Sequence, residues 1–219
     1  MSPILRIGFG QYRHLAEVAK REAGSILCVH KYSDKGCWGL TSPMLEGAIS
    51  DTNYPASTMI EASAISLADR VNLQAFQSAN RPEIDWRAIP PDRVYEFLLW
   101  HEIGHLRENF CVFELLQQKR PGIVAIAYKV NEVLADRYAW RKLFPNHALP
   151  MRPGLSSDEQ SSINSSIGYL RRIAPLKGRK RKPLPAGQYR AVPVRMLKCP
   201  KLRSYVGPNI NWPDCQIAA

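Results

Sequence analysis

Two histidines and a glutamate lie within one short stretch of the sequence, LLWHEIGHL at residues 98–106. His101 and His105 are four positions apart, so an α-helix places both rings on one face within several ångströms of each other. Zinc takes neutral imidazoles of this kind at about 2.0–2.1 Å. Glu102 lies to the side of that face, where it can accept a proton from a water activated by the metal. The pattern is H-E-x-x-H, which predicts a catalytic zinc site that performs hydrolysis.

Gly104 is unexpected in the middle of this helix. An interior glycine costs about 1 kcal/mol relative to alanine, and histidine is also a poor helix former. A helix selected only for packing would not favour either residue. We infer that the missing side chain allows another element to pack against the helix beside the metal.

A zinc site of this kind needs a third protein ligand, and the segment NEVLADRYAW at residues 131–140 provides one. Glu132 suits the ligand position, and Asp136, four residues later on the same face, suits an acceptor for the second N–H of a ligand histidine. The alternative is that both carboxylates are solvated and pair with Lys129 and Arg137. We favour the metal site because much of this helix is apolar, including Tyr128, Val133, Ala135 and Ala139.

Together the two segments resemble the gluzincin metallopeptidases, in which H-E-x-x-H is completed by a downstream glutamate within E-x-x-x-D or E-x-x-A-D/N. They are most similar to the ImmA/IrrE family of soluble bacterial and phage-associated metallopeptidases. HEIGH, the segment from Glu132 to Ala139 and the closing Phe144-Pro145 match its motifs, and the resemblance covers about residues 92–145. The chain departs from the family in its Tyr138, in a long basic extension and in the absence of an evident N-terminal helix-turn-helix.

The resemblance implies an α+β fold: a zincin-like metallopeptidase domain over residues 1–155, with a small sheet packed beside the H-E-x-x-H helix. An edge strand of that sheet would hold an extended peptide by main-chain pairing. Residues 156–219 would form a helix and a basic C-terminal extension.

The resemblance also implies roles for individual residues. His101, His105 and Glu132 would bind Zn²⁺, and Glu102 would act as general base and proton shuttle. Asp136 would orient a ligand histidine. The developing oxyanion also needs a stabilising group. Two further catalytic candidates for that task are Tyr128, one turn before Glu132, and His147, just after the helix.

The basic residues are concentrated at the C-terminal end of the chain. The net charge is +11, and the last 60 residues carry the whole excess because Asp214 is their only acidic residue. The densest cluster is Arg179, Lys180, Arg181 and Lys182, which can meet phosphates without a particular fold. No regularly spaced aromatic residues accompany it, so we predict non-specific nucleic-acid binding rather than readout of sequence. A solvated tail that aids solubility is the alternative.

Local patterns predict the elements that position these residues. Apolar periodicity predicts a helix at 11–23, and Gly24 separates it from a strand at 25–30. Residues 33–57 are expected to be turns joining short strands, 58–76 begin as a strand and continue as a helix, and 77–91 form a loop. Three further helices are predicted: one N-capped by Asp92, one from Pro121-Gly122 to Phe144, and one from Ser157 to Ile173 with a Ser157–Gln160 capping box.

Composition excludes several classes of protein. The five cysteines are odd in number and lack C-x-x-C spacing, which favours reduced thiols, with a Cys28–Cys37 pair as the alternative. The longest apolar run, at 122–128, is too short to cross a membrane, and no signal-peptide core follows Met1. We therefore expect a soluble cytoplasmic protein without a membrane partner.

Two classes of function remain. The first is a zinc endopeptidase that cleaves a protein substrate, with a DNA-associated regulator as one option; an antirestriction or mobile-element role is not separable from it. The second is a nucleic-acid-binding or interaction protein with a structural or vestigial zinc site. Structural sites normally have four protein ligands, whereas this chain offers three ligands and an unused Glu102. That difference favours the enzyme.

Overall fold

A computed structural model describes residues 3–48, 59–110, 121–173, 197–198 and 204–206 of the chain. For 42–48, 59–62, 121, 197–198 and 204–206 it describes only the backbone. The described elements, in chain order, are β1 (Ile4–Arg6), α1 (Phe9–Ala23), β2 (Ser25–His30), α2 (Tyr32–Lys35), β3 (Gly39–Ala48), β4 (Met59–Ala68), β5 (Arg70–Asn72), α3 (Leu73–Gln77), α4 (Val94–Arg107), α5 (Pro121–Leu143), α6 (Ser157–Ile173), β6 (Leu197–Lys198) and β7 (Ser204–Val206).

The protein is a mixed α+β structure with small sheets. One sheet has the order β2-β4-β3-β6, with β7 also paired to β3, and a second sheet joins β1 to β5. The strands β2 and β4 are parallel, whereas β3 is antiparallel to its neighbours. Among the described residues, no helix combines the length and apolar character that a membrane-spanning segment needs.

The first helix and strand agree with the sequence prediction. Leu15, Val18 and Ala19 of α1 are buried, as the apolar periodicity predicted. The helix ends at Gly24, whose φ of 62° lies in the left-handed region that glycine adopts without steric cost. The strand β2 follows at once. Within it Cys28 is a buried thiol, as is Cys37 further along the chain, so the alternative of a Cys28–Cys37 disulfide is wrong.

Two predictions for the sheet were wrong. Residues 39–48 form one ten-residue strand rather than short strands joined by turns. The register of β3 against β4 shifts between Ser42 and Leu45, where Pro43 lacks the N–H that a regular ladder requires. Residues 59–72 are almost entirely strand, and the helix expected there is confined to the five residues of α3.

The strand beside α4 is not an open edge. Besides its pairing with β4, β3 pairs with β6 at residues 46–47 and with β7 at residues 39–41. The prediction from the sequence that an edge strand here is free to bind a peptide is therefore wrong for β3. The backbone of residues 204–206 occupies the position that such a peptide would take.

The segment 77–91 was predicted as a loop, but it runs through the core. Ile84, Trp86 and Ile89 are buried, and Ile84 forms a bridge with Met151. The ring of Trp86 stacks on Phe76 with a centroid distance of 4.6 Å. Trp86–Ala88 form one 3₁₀ turn, and the buried apolar side chains hold the rest of this irregular segment in the core.

The N-terminal caps of two helices differ from the predictions by one residue, although α6 itself spans Ser157–Ile173 as predicted. A short 3₁₀ turn at Pro91–Arg93 precedes α4, and the residue preceding the helix is Arg93 rather than Asp92. For α6 the reciprocal cap is Ser156–Glu159. The Glu159 N–H donates to Ser156 Oγ at 3.1 Å, and the Ser156 N–H donates to the Glu159 carboxylate at 3.0 Å. This capping box lies one residue before the Ser157–Gln160 pair that was predicted.

Candidate metal centre

The helices α4 and α5 cross in close contact at Gly104. A Cβ atom built on Gly104 would lie 2.9 Å from Ala135 Cα and 3.2 Å from its carbonyl oxygen. Only the absence of a side chain lets the two backbones approach this closely, as the sequence predicted. The contact brings the face of α5 that carries Glu132 and Asp136 against the face of α4 that carries the histidines.

A Gly104→Ala variant tests this contact. We expect the free energy of unfolding to fall by about 1–3 kcal/mol, because the new methyl group overlaps backbone atoms that cannot rotate away. This cost exceeds the gain of about 1 kcal/mol that alanine brings to a helix interior. Urea denaturation followed by circular dichroism measures the change.

The matched control is Gly168→Ala in α6. Gly168 is exposed, and a Cβ there meets nothing within 4 Å. That variant is expected to be as stable as the wild type or more stable by up to about 1 kcal/mol. Equal stabilisation by both substitutions would contradict the close packing of the two helices.

Three side chains from these helices converge on one point. His101 Nε2 lies 3.0 Å from His105 Nε2, and the Glu132 oxygens lie 3.2 Å and 3.1 Å from these two nitrogens. Ligand bonds of about 2.0–2.1 Å in a tetrahedral zinc site place the ligand atoms about 3.3 Å apart. All three residues are buried, and together they form a group that could hold a metal ion. The spacing and the N/N/O donor set fit zinc.

Asp136 orients the first histidine of this group. His101 Nδ1 lies 2.8 Å from Asp136 Oδ1, so the ring N–H donates to the carboxylate. This bond leaves Nε2 directed at His105 and Glu132. Carboxylates that hold ligand histidines in this way determine both the tautomer and the orientation of the ring.

The charges of the cluster are strongly coupled. Burial alone would lower the pKa of His101, but the carboxylates of Glu132 and Asp136 outweigh it and raise this pKa to about 9. Burial would raise the pKa of Glu132, yet the two histidines hold it well below its usual range. Without a metal, a proton on His101 therefore neutralises part of the negative charge. A metal ion must displace that proton when it binds.

Glu102 is fully buried and is held by β3. The Thr41 hydroxyl donates a hydrogen bond to Glu102 Oε2 and lies 3.1 Å from the Glu102 carbonyl oxygen. Glu102 Oε1 is buried and has no hydrogen-bond partner in the described part of the chain. Burial raises the pKa of Glu102, and the nearby histidines and the Thr41 bond offset part of this rise. One oxygen is thus fixed while the other is available to accept a proton.

Two residues of the site were not found by sequence reasoning. Thr41 belongs to a stretch that was expected to form turns. Arg81 belongs to the predicted loop, yet its guanidinium donates to Glu132 at 2.9 Å and to Asp136 at 3.0 Å. Neither residue has a motif or spacing that relates it to the histidines. The one signal in the sequence that the segment around Arg81 is buried was its set of apolar residues, Ile84, Trp86 and Ile89, which are unusual in a surface loop.

The alternative interpretation of α5, with solvated carboxylates, is wrong. Glu132 and Asp136 are 4% and 1% exposed. Arg137 pairs with Glu83 instead, with nitrogen–oxygen distances of 2.6 Å and 2.5 Å.

The remaining predicted residues are the two oxyanion candidates and the basic cluster. Tyr128 is partly buried against a second apolar cluster, formed with Val124, Ile163 and other residues of α5 and α6. His147 is exposed, and its ring centroid lies 6.0 Å from that of Phe144. No described contact joins His147 to the histidines. The basic cluster Arg179, Lys180, Arg181 and Lys182 lies outside the described residues.

Comparisons with known proteins found no match: no family model, no curated protein and no solved structure is significantly similar to this chain.

Proposed function

We propose that the protein is a zinc-dependent endopeptidase of the gluzincin type, similar to the ImmA/IrrE family, that hydrolyses peptide bonds of a protein substrate. One observation carries this proposal. The buried nitrogens of His101 and His105 and the carboxylate of Glu132 converge at tetrahedral ligand spacing, beside a Glu102 carboxylate whose Oε1 has no partner among the described residues. A structural zinc site has four protein ligands and no need for a free carboxylate next to it.

Each residue has a defined task in this reaction. Bound zinc supplies a water of lowered pKa and polarises the peptide carbonyl. Glu102 Oε1 accepts the proton of the attacking water and delivers it to the leaving amine, while Thr41 holds Oε2 in place. Asp136 keeps His101 in the tautomer that binds metal. Burial of all these groups strengthens their electrostatic interactions.

The substrate in this proposal is an extended protein segment. Main-chain pairing with β3 would place such a segment next to Thr41 and therefore next to Glu102. Thr41 is paired with Ser204 in the structure. A substrate that binds in this way must first displace the backbone of residues 204–206.

Metal analysis combined with hydrolysis tests the proposal. The purified full-length protein is expected to hold about one zinc per chain, as a three-ligand catalytic site does. It should cleave candidate DNA-associated regulators, lose this activity after chelation, and regain it when zinc is restored. A wild-type protein that binds no zinc at saturating concentrations would overturn the proposal.

The segregated positive charge supports a second property, non-specific nucleic-acid binding by the C-terminal extension. We expect duplex DNA to bind at low salt, with a log–log slope of about −0.9 for each phosphate neutralised. Fluorescence anisotropy at increasing salt measures this slope. Replacing Arg179, Lys180, Arg181 and Lys182 by glutamine should weaken binding and reduce the slope.

Truncation after Ala174 is the stronger form of the same test. It should abolish DNA binding and leave the zinc content unchanged, because the ligands all precede residue 174. Absence of binding by the full-length protein at low salt would show that the basic cluster is not a nucleic-acid element.

A further inference from the structure

Arg81 is a buried cation in direct contact with the candidate metal centre. Its side chain is only 3% exposed, although Arg81 itself lies outside any helix or strand. One terminal nitrogen donates to Glu132 Oε2 at 2.9 Å, and Nε donates to Asp136 Oδ2 at 3.0 Å. The guanidinium also lies over the ring of Trp86, 4.4 Å from its centroid. Three separate contacts therefore determine where this side chain lies.

The two carboxylates held by Arg81 are the ones that contact the histidines. Glu132 Oε2 also lies 3.2 Å from His101 Nε2, and the second oxygen of Asp136 accepts from His101 Nδ1. The planar guanidinium offers several donors in a rigid fork, so it can bridge two carboxylates at defined angles. An ammonium group is a point charge and cannot impose the same orientation on both.

Arg81 also changes the charge of the buried site. Glu102, Glu132 and Asp136 are three carboxylates in an enclosed volume, and all are at most 4% exposed. A dication alone would leave one negative charge unbalanced, and buried charge without a partner is unfavourable. The guanidinium and a dication together balance the three carboxylates.

We propose that Arg81 is a positioning residue of the metal centre: it orients the Glu132 ligand and the Asp136 acceptor against the histidines and balances the charge of the loaded site. This inference extends the proposed function and depends on one part of it, namely that the cluster of His101, His105 and Glu132 binds metal. It adds a residue from a fourth segment of the chain to a site otherwise built from α4, α5 and β3.

A simpler role would be to tie the segment 77–91 to α5 without effect on the ligands. The chain contains a natural control for that role. Arg137 of α5 and Glu83 of the same segment form a second ion pair, in which Glu83 is buried and Arg137 is partly exposed. This pair joins the same two parts of the structure, and no described contact links it to the histidines, Glu132 or Asp136.

The experiment compares Arg81→Met with Arg137→Met in the full-length protein. Zinc affinity is measured by competition with a chromophoric chelator, and the visible spectrum of the Co²⁺ form reports the ligand geometry. Arg81→Met is expected to weaken zinc binding about 10–100-fold, as changes to groups that hold ligands commonly do, and to alter the Co²⁺ spectrum. Arg137→Met should lower the thermal unfolding temperature but leave affinity within about twofold and the spectrum unchanged.

An Arg81→Lys variant keeps the positive charge and therefore tests whether the forked geometry of the guanidinium matters. It also serves as the test if Arg81→Met does not fold. We expect it to fold and to recover only part of the lost affinity. Wild-type affinity and spectrum in Arg81→Lys, or tighter zinc binding in Arg81→Met, would overturn the inference. If the wild type binds zinc and the Arg81 variants match it, only this inference fails. If the wild type binds no zinc, the proposed function fails first.

Discussion

A Glu102→Gln variant is expected to retain its zinc and to lose peptide hydrolysis by about 10²–10⁴-fold. Glutamine has nearly the same shape as glutamate, and its amide can still pair with Thr41. It cannot accept a proton from water or return one to the leaving amine. The ligand atoms belong to other residues, so the metal site stays intact. Metal analysis and initial rates on the same preparation separate the two effects.

Glu96→Gln is the matched control for this experiment. Glu96 lies on the same helix and is partly exposed, and it pairs with Arg93 on the surface. The same chemical change there should leave both zinc and activity unaltered. Full activity in Glu102→Gln would contradict the role of Glu102 as general base, whereas loss of zinc would mean that Glu102 contributes to binding.

Glu132→Ala is expected to lose most of its bound zinc. The substitution removes one of three ligands and also the carboxylate that draws His101 and His105 together. Asp136→Asn should have a smaller effect, about 10–100-fold in affinity or activity, because the amide still contacts His101 but no longer carries its charge. Dialysis against a zinc buffer followed by metal analysis measures both variants.

Glu17→Ala provides the comparison, since Glu17 is exposed on α1 far from the ligands in sequence. It should bind zinc as the wild type does. Circular dichroism checks that Glu132→Ala remains folded. Full zinc occupancy in a folded Glu132→Ala protein would show that another residue is the third ligand.

Features that depend on neighbours within a few residues were predicted well from the sequence. The periodicity of α1 and the ends of α6 follow from which side chains share a helical face, and Gly24 ends the first helix because glycine adopts positive φ. His101 and His105 share a face for the same reason. Gly104 carried information about a distant contact, because a glycine inside a helix is costly unless another backbone needs the space.

Features that depend on distant segments needed the tertiary structure. Thr41 contacts Glu102 only because β3 passes α4. The residues around Thr41 are typical of turns, so the sequence did not predict the long strand that they form. The pairing of β3 with β7 joins residues 39–41 to residues 204–206, and no local pattern encodes such a register. Strand pairing is selected by burial and by the whole sheet, so propensity alone does not determine it.

The sequence by itself determined the two helical faces that carry His101, His105, Glu132 and Asp136, because helical spacing is a local property. Only the tertiary structure decided that these faces meet at ligand distance and that Arg81 joins them. The position of Arg81 depends on burying Trp86 and its neighbours in the core, which draws an irregular segment inward. An arginine is stable there because two carboxylates and an aromatic ring replace the water that it loses.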